Sequence, residues 1–246
     1  MPLPPALYLI PVPIGDTPIA QVLPPYNREV ILGLRHFIVE DVRSARRFLK
    51  KVEPTIDIDA LTFYELYRHT DPRAVATYVE PLAAGEPMGV VSEAGCPAVA
   101  DPGADVVALA QKRGLKVVPL VGPSSILMSV MGAGFNGQSF AFHGYLPIDD
   151  ARRADAIRRL EQRAYAEDQT QLCIETPYRN QRLMQELLRT LRPQTRLCLA
   201  SDITGPNERI VTRTVDEWRR RLRGASDEQM AREVPRVPAI FLFYKP

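Results

Sequence analysis

The feature that most constrains this chain is an alternation. Short apolar runs at 7–12, 36–39, 61–64, 89–92 and 116–121, bounded by Gly, Pro or Asp, are separated by stretches with helical patterning. Runs of that length suit strands buried on both faces, and helices between them are the crossovers that parallel strands need. The pattern at 44–52 places Ala45, Phe48, Leu49 and Val52 on one helical face, and that at 104–112 turns Val106, Val107 and Ala110 inward. A helix at 124–131 then opens a second alternation. Strands are expected there at 140–144, 172–175, 197–201, 209–215 and 239–244, with helices at 150–165, 179–191 and 215–222. The expected fold is α/β with mostly parallel sheets, in two domains, 1–120 and 121–246, divided where Pro119, Gly122 and Pro123 punctuate the chain.

Composition narrows the function classes. With 246 residues, 46% of them hydrophobic, the chain needs neither disulfides nor a structural metal for a stable core. Cys96, Cys173 and Cys198 lie far apart with no CxxC pair, so a reducing, cytoplasmic setting is expected and a zinc site is not. Thirty-one basic residues against 29 acidic ones leave a net charge of +2, which announces no polyanion partner by itself. The segment 1–15 carries five prolines and no basic cluster, unlike a signal peptide. The stretch 117–148 has no Asp, Glu, Lys or Arg, but its glycines, prolines and polar residues break any membrane span.

Common motifs are absent or misplaced. Gly132-Ala-Gly134-Phe-Asn-Gly137 spells a GxGxxG, yet it follows a helix and precedes a strand, the reverse of a dinucleotide site. No Walker A, HExxH or GxSxG pattern occurs, which disfavours an NTPase, a metalloprotease or a serine hydrolase. The most informative segment is Ser92-Glu-Ala-Gly-Cys-Pro-Ala-Val-Ala-Asp-Pro-Gly103, between a strand and a helix. Its small side chains leave backbone open to a ligand; equally, it is a tight turn with Asp101 capping the next helix.

Read with Pro11-Val-Pro-Ile-Gly15, Val39-Glu-Asp-Val-Arg43, Val121-Gly-Pro-Ser-Ser125, Gly144-Tyr-Leu-Pro147 and Ile174-Glu-Thr-Pro-Tyr-Arg179, this loop resembles that of the tetrapyrrole-methylase-fold, S-adenosylmethionine-dependent methyltransferases. The blocks run in the same order over most of the chain. The most similar branch 2′-O-methylates a cytidine of small-subunit ribosomal RNA. The resemblance implies two α/β domains with the cofactor in the cleft between them, usually in a homodimer, and no metal. By its pattern the cofactor touches Pro13, Ile14, Ala94, Gly95, Cys96, Val99, Ser124, Ser125, Glu175 and the backbone near Ala200, while Arg43 and Arg179 meet the substrate. Departures stand at Val42, Glu93, Cys96 and Tyr178, where that branch has Thr, Asp, Thr and His, and at 201–208, which lacks its lysine. They bear on the substrate more than on the cofactor.

Methyl transfer from a sulfonium needs no covalent intermediate, so alignment does most of the work and a base assists a hydroxyl acceptor. Asp41, Glu65 and His69, in loops after expected strands, are the candidate bases. Two have a plain alternative: Asp41, with Glu40 and Arg43, caps the helix that follows, and His69 is a solvent-exposed loop histidine. His36 and His143 read as core residues with satisfied nitrogens. Arg152, Arg153, Arg158, Arg159 and Arg163 form either a solvated helix face or a phosphate-binding one. The expected function is ribose methylation of ribosomal RNA, with the 30S subunit as partner. The alternatives are a methyltransferase of a tetrapyrrole or other small molecule, or a non-catalytic cofactor-binding module.

Overall fold

The computed structural model describes residues 3–67 and 70–246. The chain divides into two compact units, Met1–Ser124 and Ser125–Pro246.

Unit 1 is built from β1 (Leu7–Ile10), α1 (Ile19–Val22), α2 (Pro25–Leu32), β2 (His36–Val39), α3 (Val42–Val52), β3 (Thr62–Glu65), α4 (Pro72–Tyr78), α5 (Glu80–Ala83), β4 (Met88–Val91), α6 (Ala104–Lys112) and β5 (Val117–Pro119). Its strands form a parallel sheet in the order β3-β2-β4-β1-β5. Because side chains alternate along a strand, the sheet feeds two separate cores. Ala6, Tyr8, Ile10, Phe37 and Val39 pack with Val30, Ile31 and Leu34 around α2 and with Ala45, Phe48 and Leu49 of α3. Leu7, Ile38, Met88 and Val90 pack with Val75 and Val79 near α4, Leu82 of α5, and Val106 and Ala110 of α6. Helices that follow β1 and β2 thus cover one face, and those that follow β3 and β4 cover the other.

That division fixes the direction of travel. From β1 the chain steps toward the β3 edge; from β4 it steps toward β5. Neighbouring strands β4 and β1 therefore lead to opposite faces, and their C-terminal ends form a topological switch point, where open α/β sheets bind ligands.

Unit 2 runs α7 (Ser125–Ala133), β6 (Phe140–Tyr145), α8 (Asp150–Ala166), β7 (Thr170–Glu175), α9 (Asn180–Thr190), β8 (Arg196–Ser201), β9 (Arg209–Thr214), α10 (Val215–Leu222), α11 (Asp227–Glu233) and β10 (Ala239–Tyr244). Its sheet has the order β6-β7-β10-β8-β9. Here the expectation of a mostly parallel sheet fails. Only β6 and β7, joined through α8, are parallel; β10 runs antiparallel to β7 and β8, and β8 to β9. The loop 202–208 is too short for a crossover, so β9 has to return beside β8. On one face Leu187 of α9, Trp218 of α10, Phe241 and Phe243 share a core, and the Trp218 indole donates to the Leu197 carbonyl at 2.9 Å. On the other face α7 lies so close that a Cβ on Gly132 would stand 2.6 Å from the Ile210 side chain.

Candidate functional site

Three loops meet at the switch point of unit 1. Val12, just after β1, and Gly95, after β4, exchange both backbone hydrogen bonds at 2.9 Å, an isolated antiparallel bridge beyond the ends of two parallel strands. The Cys96 thiol reaches the carbonyl of Pro123, after β5, at 3.4 Å. Gly95 has φ +72°, and a Cβ there would meet Ile14 Cγ2 at 3.3 Å and Pro123 O at 3.7 Å. Pro13 and Ile14, the Ala94, Gly95 and Cys96 segment, and Ser124 are thereby gathered along one edge. Val99 is exposed on the same loop, between Ala98 and Ala100, whose φ values of 66° and 63° are left-handed conformations rare for alanine. Such backbone persists only where surrounding structure holds it, and it collects at binding loops.

Asp101 does not cap α6: the cap is Gly103, with no side-chain bond. Instead it belongs to an acidic neighbourhood. Burial raises the Asp101 pKa, with Glu93 adding and the Ser92 hydroxyl opposing. Burial also raises Glu40, helped by Asp101, Glu93 and Asp41. The Cys96 thiol is pushed up by burial and by Asp101, which favours its protonated form. The loop cradle therefore has an electronegative flank, one that favours a cationic ligand.

Asp41 is the N-cap of α3. Its carboxylate accepts from the Ser44 backbone N–H at 2.7 Å, and that bond holds its pKa below the usual value. The capping reading of Asp41 is the one the geometry supports. Arg43, next to it, is exposed. Glu65 is the last residue of β3 rather than part of the loop beyond it, and accepts from the Tyr67 hydroxyl at 2.6 Å. His69 lies outside the described residues. His36 and His143 are half-buried, with one ring nitrogen each on Tyr64 and Gln171.

In unit 2, Glu175 ends β7 and is tied down locally. It accepts from the Thr176 N–H at 2.7 Å and from Arg179 Nε at 3.0 Å, which holds the Arg179 guanidinium in place. Ser125 opens α7. Ala200 is fully buried within β8, paired on both sides. On α8 the arginines divide: Arg153 is 5% exposed and bonds to the Pro147 and Ile148 carbonyls, Asp150 and Glu186, whereas Arg152, Arg158, Arg159 and Arg163 are exposed. The solvated-or-phosphate reading of that helix thus excludes Arg153. A cavity of about 360 Å3 is lined by Arg28, Arg35, Glu53 and Ala60, which precede β2 or β3, so it lies by the N-terminal ends of these strands and not at the switch point. Among the described residues no His, Cys, Asp and Glu cluster is arranged to hold a metal ion, and no helix is long and apolar enough to cross a membrane.

The family of Tetrapyrrole (Corrin/Porphyrin) Methylases matches residues 7–218. The chain belongs to that family. It is an S-adenosylmethionine-dependent methyltransferase. Solved structures match nearly all of its length. The methyltransferase CobJ superposes with a TM-score of 0.59 at 15% identity, covering 98% of this chain and 99% of that one. A uroporphyrin-III C-methyltransferase from Thermus thermophilus, complexed with S-adenosylhomocysteine, gives 0.52 at 17% identity over 97% of each. Among curated relatives, the Vibrio cholerae ribosomal RNA small subunit methyltransferase I is 30% identical over 207 residues, 84% of this chain and 67% of that protein. The chain's match thus spans about two thirds of that relative's length.

Proposed function

We propose that this methyltransferase acts on a ribose hydroxyl of small-subunit ribosomal RNA, with its cofactor site built on the β1/β4 switch point. The observation that carries the cofactor site is the convergence of the loops after β1, β4 and β5 on Gly95. The residues fit the group. Small side chains at Ala94, Gly95 and Ala98 leave backbone accessible to an adenosine, and the flank of Glu40, Glu93 and Asp101 complements a ligand that carries both a sulfonium and an ammonium. When bound, S-adenosylmethionine supplies a methyl group on a good neutral leaving group. The chain's own work is to hold the acceptor oxygen in line and to relieve it of its proton.

Asp41 holds the N-terminus of α3 as its cap, whereas Glu65 accepts from the Tyr67 hydroxyl and caps no helix, so Glu65 is taken as the base. Arg43 and the exposed arginines of α8 are the phosphate contacts, and Arg179 orients Glu175. The names of the curated relatives support the ribosomal RNA acceptor. The working form is a homodimer in the cytoplasm: α7 exposes Leu127 and Met131 and carries no charge, so a second copy would cover it. Light scattering at micromolar concentration tests this, with a mass near 27.6 kDa counting against it.

The deciding experiment is transfer of labelled methyl from S-adenosylmethionine to 30S particles, followed by mapping of the modified nucleotide. A labelled ribose oxygen is expected. No incorporation into 30S particles or free ribosomal RNA would remove the acceptor and leave the cofactor site standing. Neutralising Arg152, Arg158 and Arg159 together should lower the slope of log affinity against log salt by roughly two, at about 0.7 per lost phosphate contact.

A further inference from the structure

At the end of β6 and just beyond β7, unit 2 presents two exposed tyrosines. Tyr145 is 60% exposed and Tyr178 is 69% exposed. Neither position is an accident of a loose loop. From Phe142 to Tyr145 there are three steps along β6 against two, Leu172 to Ile174, along β7, so β6 carries a bulge. Gly144 absorbs it with φ +64°. A bulge re-aims the side chain that follows, and here the following side chain is Tyr145.

Tyr178 is held by a different device. Thr176, Pro177 and Tyr178 turn through a single 3-10 turn, Pro177–Arg179, that ends β7. Arg179 is anchored to Glu175 at 2.9 Å and to the Thr176 hydroxyl at 3.0 Å, and its guanidinium lies 5.3 Å from the centre of the Tyr178 ring. One side of the ring is thus backed by a fixed cation. Asp150, at the start of α8, is paired with Arg153 and, at 2.7 Å, with Arg182.

We propose that Tyr178, backed by Arg179, is a stacking platform for an unpaired base of the RNA acceptor, with Tyr145 flanking it at the end of the neighbouring strand. An exposed ring that already sits on a cation loses little freedom when a flat ligand stacks on it, and the cation suits the adjoining phosphate. A buried hydrophobic partner would not need the charge; a small anion would not need the ring. This rests on the ribosomal RNA reading above and adds how the nucleotide is gripped.

The test compares wild type with Tyr178→Leu, Tyr178→Phe and Tyr145→Leu in three assays: methyl transfer to 30S particles, affinity for S-adenosylhomocysteine, and quenching of 2-aminopurine in a single-stranded RNA oligomer. Tyr178→Leu should raise KM for 30S particles roughly tenfold and abolish the quenching, with cofactor affinity unchanged. Tyr178→Phe should behave as wild type, since the ring and not the hydroxyl stacks, and Tyr145→Leu should have the smaller effect of the two leucine variants. If wild type methylates 30S particles and Tyr178→Leu does so with the same KM, or Tyr178→Phe fails as badly as Tyr178→Leu, the platform is refuted. Tyr178-dependent quenching without methylation of 30S particles would sustain the platform while overturning the ribosomal acceptor.

Discussion

Gly95 is where the cofactor reading meets a number. An L-residue in the left-handed region costs about 1–2 kcal/mol, so Gly95→Ala starts with that penalty. The added methyl then sits 3.3 Å from Ile14 Cγ2, closer than ordinary contact, with Pro123 O behind it at 3.7 Å. Gly114 makes the control: it has φ +67° in the same unit, and a Cβ there meets nothing within 4 Å. Gly114→Ala therefore pays the backbone penalty alone. At about 4 °C per kcal/mol for a domain of this size, both variants should lower the melting temperature by roughly 4–8 °C, Gly95→Ala by more. Gly95→Val adds overpacking of about 1–3 kcal/mol and places two methyl groups where the loop backbone faces Ile14. Calorimetry with S-adenosylhomocysteine then separates the sites. Gly114→Ala should bind as wild type does, Gly95→Ala more weakly, and folded Gly95→Val not measurably. Wild-type affinity in folded Gly95→Val would refute the placement of the cofactor at the switch point.

Other outcomes follow from charges placed by the fold. The Glu53 carboxyl, bonded by Thr55 and Arg28, has its pKa lowered from 4.5 to about 2, so its contribution to stability is complete above pH 4.5 and lost as pH falls toward 2; Glu53→Gln should flatten the melting temperature across that window, and an unchanged profile would count against the bond. Arg153→Ala leaves Glu186 buried with only Arg189, at 2.8 Å, to balance it. Urea unfolding should register a loss of about 3 kcal/mol, the low end for breaking a buried pair, and the double variant Arg153→Met with Glu186→Met should recover most of it. Asp41→Asn keeps a good N-cap and removes the carboxylate, so stability and methyl transfer should both stay near wild type, whereas Asp41→Ala loses stability; a collapse of turnover in Asp41→Asn would make Asp41 the base after all.

Strands were the legible part of the sequence, because a run such as 37–39 or 239–244 is apolar throughout and stops at a polar or Pro-containing turn. Helix α2 was not legible. Its pattern is interrupted by Asn27, which is buried because its amide donates to the Val121 carbonyl at 2.9 Å, a partner 94 residues away. The direction of the second sheet was open to the simple test of loop length at 202–208, but apolar runs look alike whether their neighbours are parallel or not. At the site, the Gly- and Pro-rich loop marked itself, while Asp101 could not: a cap and a half-buried carboxylate beside Ser92 call for the same residue type. The split of α8 into buried Arg153 and exposed neighbours likewise depends on where Glu186 and the Pro147 carbonyl fall in space.

The strand order in unit 2 also sets a timetable for synthesis. Its middle strand, β10, is the last of the ten to leave the ribosome, and without it β6-β7 and β8-β9 are two separate ribbons, each with a long unpaired edge. Unit 1 has every one of its strands once Pro119 has emerged, so it can close while unit 2 is still half made. A nascent chain stalled after Glu233 should accordingly yield a protease-resistant unit 1 and a unit 2 that is cut. During that interval the open edges of β7 and β8 invite pairing with other chains, which makes the passage from Glu233 to Tyr244 the moment at which the growing protein is most exposed to aggregation.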